Sequence, residues 1–163
     1  MALVGKIILS IERKFRSPRA ESYFAWKLTF DAWGNKISNK RTNFDWLSND
    51  TFQVDKYIQD KLCGFDISLQ SWLEVAEAVF YSSRNLSMIP SNFPICLVGG
   101  EQDPCTNYGK DMRKLAARLK RMGHVNFSHE TIRGCRHETL NEISREHYVG
   151  IFLDWLQDQT KRN

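Results

Sequence analysis

The second half of the chain alternates between two hydrophobic periods, and this alternation predicts a βαβα unit. A short aliphatic run at 93–100 stops at a glycine pair, which indicates a buried parallel strand. Apolar residues recur at helical spacing over 110–122, and a period of two over 125–132 predicts a second strand. Apolar positions over 145–159 predict a closing helix. For this order we expect parallel strands and a right-handed crossover.

The first half is mostly helical in pattern and less regular. The clearest stripe lies in the last helix and is broad enough to face both a core and a ligand; it comprises Leu69, Trp72, Leu73, Ala76, Val79 and Phe80. The period changes near Pro90 and Pro94, which predicts a helical region at 1–90 and an α/β region at 91–163. The predicted helices of the first half are 7–14, 22–31, 50–59 and 69–82.

Composition narrows the class of protein. The chain has 163 residues, 42% hydrophobic and 26% charged, which is typical of one soluble globular domain. The 23 basic and 19 acidic residues leave a net charge of +4, too small an excess for a dedicated nucleic-acid binder. The four cysteines form no C-x-x-C pair, which favours free thiols in a reducing cytoplasm. We expect no secretory signal and no membrane span.

Two polar loops follow the predicted strands and carry the candidate chemistry. Asp103 follows the first strand and His137 follows the second. Neighbouring parallel strands end at the same edge of a sheet, so we expect the two side chains to lie within hydrogen-bonding reach. A carboxylate beside a histidine fixes the imidazole tautomer, as in the orienting half of a nucleophilic triad.

The motifs around these residues resemble the α/β hydrolases, in particular the monoacylglycerol lipases and lysophospholipases with serine-aminopeptidase-like architecture. The similar segments are Gly-Glu-Gln-Asp at 100–103 and Arg-His-Glu-Thr-Leu-Asn-Glu at 136–142. Segments 43–48, 54–57 and 62–65 resemble the helical cap of bacterial members. The resemblance implies a partial α/β-hydrolase fold, with a cap or lid at 1–90 and the C-terminal part of the core at 91–163.

The resemblance also implies roles. Asp103 would be the triad acid and His137 the general base, acting on an acylglycerol or lysophospholipid-like ester without cofactor or metal. An apolar wall over the site is expected from four aromatic side chains, Phe44, Trp46, Trp72 and Phe80.

One family element is missing from these residues. No Gly-x-Ser-x-Gly segment, which would carry the nucleophilic serine, occurs before Asp103. We therefore expect a truncated hydrolase that is inactive alone and prone to self-association. The alternative is a non-enzymatic lipid- or protein-binding module that pairs with a separate N-terminal half.

Other candidate sites carry less weight. Cys105 and Cys135 flank the acid and the base and could supply a replacement nucleophile or a metal ligand, but passive thiols are the favoured interpretation. Basic residues on the 110–122 helix are interpreted as a solvated face rather than a nucleic-acid site, because no aromatic side chains are interleaved for stacking.

Overall fold

The computed structural model describes residues 2–161, with side chains described from Val4 onward. Short 3₁₀ turns lie at Leu86–Met88 and Thr139–Asn141. The main elements in chain order are α1 (Ala2–Phe15), α2 (Tyr23–Trp26), a π-helical turn (Lys27–Asp31), α3 (Ala32–Gly34), α4 (Thr51–Gln59), α5 (Leu69–Arg84), β1 (Ile95–Gly100), α6 (Lys110–Arg121), β2 (Phe127–Ile132) and α7 (Arg145–Lys161).

The helices of the first half begin at polar caps and pack around one small core. The hydroxyl of Ser68 accepts the amide N–H of Ser71 at the start of α5, and the Asp50 carboxylate caps α4. Helices α1 and α5 contact each other through a buried cluster of Leu9, Ala25 and Leu69. The predicted helices at 50–59 and 69–82 are confirmed with shifts of one or two residues at their ends. The helix predicted at 7–14 is present but begins earlier, at Ala2.

The predicted continuous helix over 22–31 is wrong in detail. It divides into α2, a π-helical turn and α3. The hydroxyl of Thr29 donates to the carbonyl oxygen of Ala25 at 2.6 Å, a local bond that competes with the backbone ladder and bends helices. The wider turn carries Phe30 and leads into Trp33, two rings that contact the candidate site described below.

The second half forms the predicted βαβα unit. Strands β1 and β2 pair in parallel, with Ile95 opposite Phe127 and Gly100 opposite Ile132, and α6 makes the crossover between them. Within residues 2–161 the sheet has these two strands. The fold is therefore a partial α/β-hydrolase fold, as the sequence predicted.

Burial within this unit differs from the prediction of a buried strand. Only Gly99 and Gly100 of β1 are fully buried, and the middle of β2 is exposed. Helix α7 buries Tyr148 against Ile132 and Cys135, with Ile151 packed on that cluster. Its predicted apolar positions Val149, Phe152, Leu153 and Leu156 are 41–48% exposed. Two strands offer α7 a narrow surface, so one side of the helix is covered and the other is open.

None of the helices within residues 2–161 combines the length and the apolar character that crossing a membrane requires. The basic side chains of α6 mostly lie on its exposed side, and Lys114 pairs with Asp111 at 2.9 Å.

Candidate active site

Asp103 lies in the turn after β1, and its carboxylate is fixed by that turn. The residue is almost fully buried. Oδ1 accepts the amide N–H of Cys105 at 2.8 Å, and Oδ2 accepts the hydroxyl of Thr106 at 2.9 Å. Two hydrogen bonds to an ionised carboxylate hold it in one orientation. The turn thus presents a pre-oriented acceptor to the neighbouring loop.

His137 lies in the loop after β2, and its ring meets that carboxylate. Nδ1 is 3.1 Å from Oδ2 of Asp103, so the expected contact is present. A carboxylate only accepts, so Nδ1 carries the proton and donates it. The other nitrogen, Nε2, has no hydrogen-bond partner among residues 2–161, and the side chain is 37% exposed. Nε2 can therefore reach an external proton donor.

The contact shifts the acidity of both groups. The hydrogen bond that His137 donates to Asp103 raises the pKa of His137, and partial burial opposes this only in part. Burial would raise the pKa of Asp103, but hydrogen bonds from His137, the Cys105 amide and Thr106 outweigh it and lower that pKa. The pair is most stable with the carboxylate ionised and the imidazole protonated, which is the state that follows proton abstraction by the histidine.

The two loops approach closely because residue 100 has no side chain. A Cβ on Gly100 would lie 2.1 Å from the carbonyl oxygen of Arg136 and 2.2 Å from that of Cys135. Across this gap the amide of Gln102 donates to the Cys135 carbonyl oxygen at 2.7 Å. A larger residue at 100 would separate the two loops and lengthen the Asp103–His137 contact.

A buried polar group ties the His137 loop to the helical half. Glu142 accepts the amide N–H of Arg136 at 2.7 Å and that of Asn49 at 3.1 Å. Nη1 of Arg136 donates to the carbonyl oxygens of Asp45 and Ser48 at 2.6 and 3.0 Å. We call Asn49, Arg136 and Glu142 the clasp. Arg136 and Glu142 belong to the motif at 136–142, and their contacts with the helical half span about ninety positions.

Four rings form an aromatic cluster that meets the imidazole through Trp46. Trp46 is buried, and its ring centroid is 5.1 Å from that of His137. Phe30 stacks on Trp46 at 5.8 Å, and Trp33 lies 4.9 Å from Trp46. Trp72 lies 5.6 Å from Phe30 and completes the cluster. Trp46 and Trp72 are among the predicted wall residues, whereas Phe30 and Trp33, three residues apart in the sequence, are not.

The other two predicted wall residues lie elsewhere. Phe44 packs at 5.2 Å against the ring of Tyr57. Phe80 lies under two cations, with Lys6 Nζ at 5.8 Å and the Arg84 guanidinium carbon at 5.2 Å from the ring. Within residues 2–161 neither forms a ring pair with the aromatic cluster. The structure thus brings Trp46 and, through Phe30, Trp72 to the histidine.

The thiols near the site are protonated at neutral pH. Burial raises the pKa of Cys105 to about 11, and the charge of Asp103 adds to the effect. Cys135 is buried, and its pKa is raised chiefly by burial; its sulfur contacts the Tyr148 hydroxyl. A thiol is a poor nucleophile unless it ionises, so neither is pre-activated for attack.

The fold and this pair of loops together define an α/β hydrolase. The family model described as serine aminopeptidase, S33, matches residues 7–144. The chain belongs to that family. No curated protein sequence matches it.

Solved structures share the fold at low sequence identity. A thermostable carboxyl esterase from Bacillus coagulans, solved in complex with glycerol, has a TM-score of 0.84 at 18% identity and covers 98% of this chain and 52% of its own. A lipase in its open form has a TM-score of 0.77 at 23% identity; the match covers 93% of this chain and 50% of the lipase. A Paleococcus ferrophilus monoacylglycerol lipase has a TM-score of 0.59 at 18% identity, again with 93% and 50% covered. The chain spans about half the length of the structures it matches.

Proposed function

We propose that the chain supplies the acid–base pair and the cap of a carboxylic ester hydrolase of the lysophospholipase or monoacylglycerol lipase type. The observation that carries the proposal is the 3.1 Å contact between His137 Nδ1 and Asp103 Oδ2, at the carboxyl ends of two adjacent parallel strands. Triad pairs occupy this position in α/β hydrolases. Asp103 is the proposed orienting acid, and His137 the proposed general base.

The proposed chemistry is acyl transfer through a serine. Nε2 of His137 takes the hydroxyl proton while the serine oxygen attacks the ester carbonyl carbon. The protonated imidazole then gives that proton to the departing alcohol, leaving an acyl-serine. Water, deprotonated by the same nitrogen, cleaves the acyl-serine and returns the serine. Asp103 holds the tautomer and stabilises the imidazolium throughout.

The serine is proposed to come from outside these 163 residues. No Gly-x-Ser-x-Gly segment occurs in them. We propose that residues 1–90 form the cap, that residues 91–163 form the C-terminal part of the core, and that an N-terminal half supplies the elbow serine and the oxyanion hole. By itself the chain is proposed to be inactive. The proposed compartment is the cytoplasm, because the four cysteines are free.

The proposed substrate is an ester with a single acyl chain, of the acylglycerol or lysophospholipid kind. Support comes from the aromatic cluster, which places an apolar surface next to the base. The related structures include a monoacylglycerol lipase and an esterase solved with glycerol. Of the proposed wall residues, Trp46 contacts His137, and Trp72 joins the same cluster through Phe30. Phe44 and Phe80 are proposed for the outer cap.

The experiment compares the chain alone with a fusion protein. In the fusion, the part of the Bacillus coagulans esterase that the 163 residues do not match precedes the chain. We expect the chain alone to leave p-nitrophenyl esters unhydrolysed and to escape labelling by a fluorophosphonate. The fusion should hydrolyse these esters and be labelled at the elbow serine. Stoichiometric labelling of a serine in the chain alone contradicts the proposal.

A second candidate function is a binding module without activity of its own. It is favoured by the exposed apolar side of α7, with Val149, Phe152, Leu153 and Leu156 all at least two-fifths exposed. Such a face suits a lipid, a second copy of the chain or a separate N-terminal half. A chain that remains monomeric and unchanged in stability when the N-terminal segment is added would argue against pairing.

A further inference from the structure

Three different metal-ligating groups meet at the acid–base pair. Asp103, Cys105 and His137 each offer one ligand atom, and these atoms all lie within 4.8 Å of one another. They belong to two loops that are separated by more than thirty positions in sequence and brought together by the parallel strands. A carboxylate oxygen, a sulfur and an imidazole nitrogen are a mixed set of ligands, and the thiol of Cys105 has no part in the proposed ester hydrolysis.

The spacing of these atoms suits a small tetrahedral ion. Zn²⁺ binds sulfur at about 2.3 Å and nitrogen or oxygen at about 2.0–2.2 Å, which places neighbouring ligand atoms roughly 3.3–3.8 Å apart. The 3.1 Å between His137 Nδ1 and Asp103 Oδ2 is already close to that value. All three ligand atoms lie within 4.8 Å of one another, so shifts of about an ångström bring them to coordination distance.

The surroundings support coordination. The hydrogen bond from the Cys105 amide to Oδ1 of Asp103 orients the carboxylate, as outer partners do in metal sites. Asp103 is buried, Cys105 is half-buried and His137 is exposed, so an ion can enter from the histidine side. Sulfur with imidazole favours Zn²⁺ over Mg²⁺ or Ca²⁺, which prefer oxygen alone.

We infer that Asp103, Cys105 and His137 form a binding site for Zn²⁺, with water in the fourth position. On binding, the Cys105 thiol loses its proton to solvent and forms a sulfur–zinc bond. His137 Nδ1 also gives up its proton to solvent, while Nε2 carries the proton of the neutral ring, so that the His137–Asp103 hydrogen bond is replaced by two bonds to the ion. Zinc thereby occupies both groups that proton transfer would need. The site would act as an inhibitory switch on any chemistry that uses this pair.

The test uses the untagged 163-residue chain and measures metal binding rather than activity. Co²⁺ should give one thiolate-to-cobalt charge-transfer band at a ratio of one ion per chain, and Zn²⁺ should abolish it while Mg²⁺ should not. Cys105→Ser should remove the band and weaken Zn²⁺ binding at least tenfold in competition with a chromogenic chelator. Cys63→Ser, the matched control at a half-buried thiol, should leave both unchanged.

A measurement on the unmodified chain covers the case in which Cys105→Ser alters the fold. Zn²⁺ should slow alkylation of Cys105 by iodoacetamide at least tenfold, measured by mass spectrometry of its peptide, and leave alkylation of Cys63 unaffected. A missing cobalt band, a band that persists in a folded Cys105→Ser variant, or unprotected Cys105 each overturns the inference. These experiments measure metal binding and not esterase activity. Their outcome therefore does not depend on whether the chain takes part in ester hydrolysis.

Discussion

Trp46 contacts His137 twice. Its carbonyl oxygen accepts the His137 amide N–H at 3.4 Å, and its indole ring lies 5.1 Å from the imidazole, centroid to centroid. The helical half therefore holds both the backbone and the ring of the proposed base. Since Phe30 and Trp33 pack on the same indole, the position of the imidazole depends on a cluster built from the first half of the chain.

Trp46→Ala should remove this support. Truncating a buried tryptophan costs about 3–5 kcal/mol of unfolding free energy, so we expect a loss of that size in urea. Trp46→Phe should cost less, because Nε1 of Trp46 is buried without a hydrogen-bond partner among the described residues. The Cε1–H resonance of His137 should shift in Trp46→Ala. A stability loss in Trp46→Phe equal to that in Trp46→Ala would argue against a ring-packing role.

Asp103→Asn should lower the pKa of His137, because the Asp103 hydrogen bond is the main cause of its rise. A raised histidine pKa stabilises the fold below the unfolded value near 6.5, and this is lost as pH rises through the folded pKa. The lowered pKa of Asp103 stabilises the fold above about 3.9, and this is lost as pH falls through the folded pKa.

The pair therefore contributes most between those two values. We expect the urea midpoint of the unmodified chain to fall from pH 5.5 to pH 8 by more than that of Asp103→Asn. An NMR titration of His137 checks the pKa directly. An unchanged His137 pKa in the variant would mean that the contact does not set its acidity.

Glu142→Ala should loosen the clasp. It removes the acceptor of the Arg136 and Asn49 amides, at a cost of roughly 1–3 kcal/mol for each buried group left without a partner. Amide hydrogen exchange at these two positions should accelerate together. Glu138→Ala is the matched control, since among the described residues its carboxylate accepts only the exposed Asn141 side-chain amide, and we expect a change within about 0.5 kcal/mol. Equal effects of the two variants would refute the clasp.

Gly100→Ala should separate the two loops that carry Asp103 and His137. Its Cβ would overlap two backbone carbonyl oxygens, which cannot rotate away as a side chain could, so we expect a loss of about 1–3 kcal/mol or more. Gly150→Ala is the opposite case, because nothing lies within 4 Å of its Cβ in α7. Alanine there should stabilise the helix by roughly 0.5–1 kcal/mol. Urea unfolding of both variants measures these changes. A Gly100→Ala variant more stable than the Gly150→Ala variant would contradict the prediction.

Local patterns predicted what depends on local contacts. The apolar spacing of α6 and the aliphatic run of β1 are sufficient to define those elements, and the rule for parallel strands then places Asp103 beside His137. The apolar pattern does not predict the π-helical turn, because the turn lies inside an otherwise helical pattern; the bond from the Thr29 hydroxyl to the Ala25 carbonyl oxygen is local to it. The clasp and the Trp46–His137 contact join segments about ninety residues apart, and periodicity does not report on such pairs. The exposed side of α7 depends on how many strands lie beneath it, which its own sequence does not encode.

The most direct measurement of the proposed acid–base pair is the rate of p-nitrophenyl ester hydrolysis by the fusion that carries the elbow serine. His137→Ala and Asp103→Asn should each reduce that rate by roughly 10²–10⁴-fold. His129→Ala, at an exposed position of β2, should leave it unchanged. A fusion that hydrolyses the ester equally well with His137→Ala would contradict the assignment of His137 as the base.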